Sequence, residues 1–154
     1  RTTAHLVRRT LEESLYFAML FDRWAVDANW PRVRDGFFGM IPSAVRPLVT
    51  GLIRRKIIRD LKGQGTGRLT PAEVYRRGVA DIAAVAACLG GNDFLVADRP
   101  TTIDVTLFAF VDNLLRGGFP GPLYEAARAA PGLVGHHGRM AARLADSEAA
   151  DAGG

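Results

Sequence analysis

The chain of 154 residues holds a single cysteine, Cys88. A disulfide framework is therefore excluded, and so is a thiolate metal cluster. Histidine is almost as scarce. Of His5, His136 and His137 only the last two are neighbours, and adjacent positions on a helix diverge by about 100°, so no metal site is expected. Long apolar runs are missing too: none reaches the ~18 residues of a membrane-spanning helix. There is no initiating Met and no signal-peptide pattern. The expectation is a soluble, cytoplasmic protein whose chain is cut from something longer. Strand-like alternation is lacking, apart from the short run Phe94-Leu95-Val96, and no internal repeat is visible.

What is present is ordinary globular material, 48% apolar and 23% charged, which is not a disordered composition. The length corresponds to one domain at about 100–200 residues each. The net charge of +4 is concentrated locally in Arg54, Arg55, Lys56, Arg59 and Lys62. A run of this kind reads first as a solvated helix face. The helix 43–62 that carries it would also fit an anionic membrane surface. Nucleic acid is not expected as a partner, because the aromatics sit in apolar stripes and are not interleaved with the basic run.

All strong patterns are helical. A first helix is expected from about Ala4 to Trp24, with Leu6, Thr10, Phe17, Leu20, Phe21 and Trp24 on one stripe. Glu13 falls inside that stripe, with Arg9 and Tyr16 at its edge and Arg23 further round. A buried carboxylate needs a partner, and Arg9, four residues earlier, is the natural one. Residues 29–42 carry Pro31, Gly36, Gly39 and Pro42 among Trp30, Phe37 and Phe38, and read as a packed loop. A second helix spans Ser43 to Lys62, with Val45, Leu48, Val49, Leu52 and Ile53 on its apolar side and a bend near Gly51. Gly63-Gln64-Gly65-Thr66-Gly67 is a flexible connection. It lacks the preceding strand and the Lys-Ser/Thr pair of a phosphate-binding loop.

The third helix opens with a cap at Thr70, Pro71 in the first turn and Glu73 closing a capping box. Val74, Gly78, Ile82, Val85 and Leu89 form its core stripe, and Cys88 reads as a small buried hydrophobe. The fourth helix is capped by Thr101, with Asp104 reaching back to it. Its apolar residues from Ile103 to Leu115 go all the way round, which marks a central, buried element. A short helix from Leu123 to Ala130 and a last one from Leu133 to Ala145 follow. The Ala-, Asp- and Gly-rich tail 146–154 should fray. The organisation expected is one all-α domain over residues 1–145 and a flexible tail over 146–154.

Phe94 to Phe108, with an apolar pair, Asp98, the Thr101-Thr102-Ile103-Asp104 cap and an apolar helix, resembles the core of the glutathione S-transferase C-terminal domain. Ala97 stands where that family usually has Gly. Pro131-Gly132-Leu133 is similar to the family's last turn. Leu11-Glu12-Glu13-Ser14-Leu15-Tyr16, Arg23-Trp24, and Gly63-Gln64-Gly65 ahead of Thr70-Pro71-Ala72-Glu73 resemble the failed-axon-connections and metaxin branch. The resemblance covers about Ala4 to Ala145. It implies a glutathione S-transferase C-terminal-like bundle of five to six helices around a central buried helix, with Thr101 and Asp104 as its structural cap.

The resemblance also implies a preceding thioredoxin-like domain, absent from this chain, that binds glutathione as co-substrate and supplies the catalytic Ser, Cys or Tyr. No catalytic residue is then expected here, and a homodimer is. The first helix would border the cleft for a small hydrophobic electrophile through Arg9, Glu13, Tyr16 and Leu20, with Arg23 and Trp24 near its end. The function implied is the substrate-side domain of a glutathione-conjugating or related thiol enzyme. The alternative is a non-catalytic, metaxin-like scaffold or targeting protein.

Overall fold

The computed structural model describes residues 1–152, with side chains through residue 147. No Gly or Pro interrupts the first 24 residues. Helix α1 (Thr2–Thr10), a π-helical turn (Leu11–Leu15) and α2 (Tyr16–Trp24) accordingly follow one another without a break. The side of this rod facing the core is aliphatic: Val7, Leu11, Leu15 and Ala18 are all buried. The expected stripe lies roughly 120° further round at about 100° per residue. Phe21 belongs to the core, Phe17 and Leu20 pack against its margin, and Leu6 is 59% exposed. A small side chain is needed at Ala18 because α5 comes very close there. A Cβ on Gly78 would stand 2.6 Å from Leu123 Cδ2 and 3.1 Å from Ala18 Cβ.

The expected packed loop contains a helix, α3 (Trp30–Phe37), with Val33 completely buried. Pro31 falls in its first turn, where a missing N–H costs nothing. Helix α4 (Arg46–Gln64) then runs uninterrupted through Gly51. It packs against α2 and against a 3₁₀ turn (Thr66–Arg68). The side expected to be buried is largely open, since Val45, Leu48 and Leu52 are exposed, while Thr50 and Leu61 face inward. Helix α5 (Pro71–Leu89) has the expected Thr70–Glu73 capping box, and Val74, Gly78, Ile82, Val85 and Leu89 are all buried. Cys88 is exposed, not buried, because it stands beside that stripe and not on it.

Helix α6 (Thr102–Arg116) is the element on which α1, α7 (Pro122–Arg128) and α8 (Pro131–Ala152) pack. Ile103, Leu107, Val111 and Leu114 are buried, but Val105 is 52% exposed, so one side of the apolar cylinder remains open. Helix α8 passes the expected stop at Ala145, and the expected tail continues it as far as Ala152. The last two tail residues, 153–154, lie outside the described residues. With α1, the π turn and α2 taken as one rod, seven helical rods are seen among the described residues. The expected five to six did not include α3. The fold is all-α, with no strand among the described residues.

The start of α6 is built on Asp104, whose side chain is fully buried. Its Oδ2 accepts from the backbone N–H of Thr101 at 2.9 Å and from Thr101 Oγ1 at 2.7 Å. Its Oδ1 accepts from the N–H of Leu95 at 2.9 Å and lies 3.2 Å from His136 Nε2 on α8. Burial alone would raise the carboxyl pKa, but the Leu95, Thr101 and His136 donors outweigh it and hold the group below the usual carboxylate range. An ionised carboxylate only accepts, so Nε2 carries the imidazole hydrogen. Burial pushes the His136 pKa below 6.5 and keeps the ring neutral.

Two outcomes follow from this clasp. Asp104→Ala strands several buried donors and should cost about 3 kcal/mol or more. In a domain of this size that lowers the Tm by roughly 6–12 °C; a loss under about 1 kcal/mol in denaturant titration would contradict the assignment. His136 should also make folding acid-sensitive. Well above pH 6.5 neither state protonates it; below that value the unfolded chain takes up a proton that the native ring resists, so stability falls. His136→Gln keeps a donor and removes the titration. The fall in Tm between about pH 7 and pH 5 should therefore be shallower in the variant than in the parent.

Candidate functional site

The open side of α6 faces α2 across a groove of about 390 Å³. Tyr16, Met19, Leu20, Arg23 and Trp24 line it from the first rod, Ala109, Phe110 and Asn113 from α6, and Phe37 from the end of α3. Of the expected stripe, Leu20 and Trp24 form part of the groove wall, while Phe21 lies in the core and Phe17 packs against it. Tyr16 stands edge-on to Phe17 at 5.2 Å, and Trp24 leans on Trp30 at 5.6 Å and on Phe38 at 6.2 Å. Rings held by other rings make a floor of fixed shape.

Arg23 is the polar feature of the groove. Its guanidinium lies 4.6 Å above the ring of Phe119. Its Nη2 donates to the backbone carbonyl of Asn113 at 3.1 Å and to Asn113 Oδ1. That carbonyl belongs to the last turn of α6, where a cation is favoured. A Cβ at Gly117 would fall 2.3 Å from the Asn113 carbonyl and 3.1 Å from Arg23 Nη2, so glycine is required there. Burial lowers the Arg23 pKa from its ordinary value, though a guanidinium stays charged in any protein.

The preceding residue points the opposite way. Asp22 is buried and accepts from Tyr75 Oη at 2.6 Å and from Asn29 Nδ2 at 2.9 Å. Burial raises its pKa, while the same burial and the Asp22 contact push the Tyr75 hydroxyl up. This cluster ties α2 to α5 and to the α2–α3 turn behind the groove. Arg54 braces the same end. Its Nε donates to the Trp24 carbonyl at 2.8 Å, its Nη2 to Asp27 at 2.6 Å, and its guanidinium covers Trp30 at 4.9 Å. The basic run is accordingly not a uniform patch. Arg54 turns inward, and Lys56 and Arg59 share Asp60 at 2.6 and 3.9 Å.

Four of the expected cleft residues, Tyr16, Leu20, Arg23 and Trp24, come together on the groove. Arg9 and Glu13 do not. They pair with each other at 2.9 Å, and both side chains are more than half exposed. The anomaly of Glu13 on an apolar stripe disappears, because that part of the stripe faces water. Met19, Phe37, Ala109, Phe110 and Asn113 were not anticipated as lining residues. The α6 members were hidden by reading that helix as buried on every side.

The lining residues include no Cys, Ser, His or carboxylate. The groove can hold and orient an amphipathic molecule, with an apolar body against the rings and a polar end toward Arg23, Asn113 and Tyr16. It offers no acid–base or nucleophilic group apart from the Tyr16 hydroxyl.

Residues 78–140 match the model of the glutathione S-transferase C-terminal domain family. The isoprene-epoxide–glutathione S-transferase of a Rhodococcus species is 30% identical over 114 residues, which cover 69% of this chain and 45% of that protein. Failed axon connections of Drosophila melanogaster is 32% identical over 85 residues, 53% of this chain and 20% of that protein. The matches thus span less than half the length of either relative. No solved structure matches the chain.

Proposed function

We propose that the chain, whose residues 78–140 match the glutathione S-transferase C-terminal domain family, forms the substrate-side wall of a glutathione S-transferase-like protein. The observation that carries this reading is the groove between α2 and α6, where Tyr16, Leu20, Arg23 and Trp24 meet Phe110 and Asn113. Glutathione and the group that activates its thiol would come from a domain outside these residues. The thiolate sulfur would form a bond to an electrophilic carbon as that carbon's bond to a leaving group, or an epoxide C–O bond, breaks. The thiol proton would pass to solvent or to the oxygen released. This chain would bind the apolar electrophile and exclude water from it; the glutathione transferase of Rhodococcus supports that class of reaction by its name.

Leu20→Gln places an amide on the groove floor. In the full-length protein it should raise the KM for an apolar electrophile about tenfold while leaving the KM for glutathione within about twofold. Glu13→Gln, outside the groove, should change neither value. Equal KM values for the electrophile in parent and Leu20→Gln would remove the groove from the reaction.

A second reading, a non-catalytic scaffold or targeting protein in the metaxin manner, is favoured by α4. Positions 45, 48, 52, 55, 59 and 62 fall at helical spacing on one stripe. Val45, Leu48 and Leu52 are exposed, and so are Arg55, Arg59 and Lys62. Such a stripe suits an anionic lipid surface. Among the described residues no helix is long and apolar enough to cross a membrane. Under this reading the full-length protein shows no glutathione conjugation and binds phosphatidylserine-rich vesicles, less tightly as salt rises. Failure to bind at low salt would eliminate the lipid role of α4.

A further inference from the structure

Arg23 is the one Lys, Arg, Asp or Glu among the residues lining the groove. Its hydrogen-bond partners among the described residues are the two oxygens of Asn113, and both are neutral. The acids on neighbouring turns are engaged elsewhere. Asp22 takes Tyr75 and Asn29 on its buried side, Asp27 takes Arg54, and Glu13 takes Arg9. A guanidinium has five N–H donors, and both contacts to Asn113 use Nη2 alone. Arg23 is half-buried, with its guanidinium against the face of Phe119, and that burial lowers its pKa. The carboxylate of Asp22 acts on Arg23 only through space and makes its hydrogen bonds to Tyr75 and Asn29, so the Nη1 and Nε donors of Arg23 have no charged hydrogen-bond partner, and an anion bound beside them in an apolar setting supplies one.

We propose that the groove selects an apolar ligand bearing a fixed negative group, a carboxylate or sulfonate, with Arg23 as its counter-ion. The proposal rests on the groove being the ligand site and goes beyond it by naming the ligand's charge. The apolar body lies along Leu20, Trp24 and Phe110, and the anion sits at the α2 end against Nη1 and Nε. Arg23 determines specificity here and takes no part in bond making.

The test uses the full-length protein and two fluorescent probes of nearly equal shape, anilinonaphthalene sulfonate and its sulfonate-free parent phenylnaphthylamine. The parent protein should bind the sulfonate about tenfold more tightly or better. Arg23→Met should abolish this preference while holding the affinity for phenylnaphthylamine within about twofold, and Arg23→Lys should restore part of it. Should Arg23→Met fail to fold, the parent protein still decides. Added salt must weaken the sulfonate and spare the neutral probe. Glutathione also carries carboxylates, so it is added as a competitor; displacement of the sulfonate would assign Arg23 to glutathione and overturn the proposal. Equal affinity of both probes for the parent protein would overturn it while leaving the groove reading intact. Binding of neither probe would overturn the groove reading itself.

Discussion

One buried carboxylate organises the half of the molecule that matters most. Asp104 gathers the N–H of Leu95, the backbone and hydroxyl of Thr101, and the ring of His136. Those donors come from the loop before α6, from its first turn and from α8. A charge in such a place is tolerable only when every lone pair is engaged. The penalty for losing one donor is what fixes the loop and the two helices in one arrangement. Because α6 supplies one wall of the groove, its orientation at Asp104 determines where Ala109, Phe110 and Asn113 stand about one and a half to two and a half turns later. The fold and the candidate site are connected through that rod.

The other wall depends on a different device. The first rod has two apolar sides, an aliphatic one that meets α5 closely through Gly78 and one carrying Tyr16, Leu20 and Trp24 that is turned to the groove. At the C-terminal end of α2 the two sides are separated by a single residue step. Asp22 faces inward to Tyr75 and Asn29, and Arg23 faces outward to Asn113. Two opposite charges adjacent in sequence attract through space, but neither hydrogen-bonds to the other. Each is satisfied by neutral partners on its own side, and the groove retains a cation.

What could be read in the sequence was local. The Thr70–Glu73 box, the Thr101–Asp104 clasp and the α5 stripe involve residues within a few turns, and chemistry at that range is written in spacing. The stripe of the first rod is legible as apolar, but periodicity identifies apolar faces without saying which one meets the core. Helix α3 was hidden by Pro31, which breaks a helix in its interior and suits the first turn. The buried pairings Asp22 with Tyr75 and Asp104 with His136 join positions far apart in the chain, and no local pattern announces them. Asp22 did leave a trace: it lies four residues beyond Ala18 and seven beyond Leu15, on the aliphatic stripe itself.

Arg23 belongs to both the architecture and the candidate site. Its Nη2 holds the last turn of α6 through Asn113, whose carbonyl lies so close to residue 117 that only glycine fits there. The same rigid anchoring leaves the rest of the guanidinium without freedom to swing away into water. An arginine on a free surface would relax toward solvent and discriminate little. One pinned at its tip between Asn113 and Phe119 presents its remaining donors in a set direction, so little ordering is left to occur when a ligand arrives. The residue that closes the end of the groove is therefore also the one best placed to read the charge of whatever enters it.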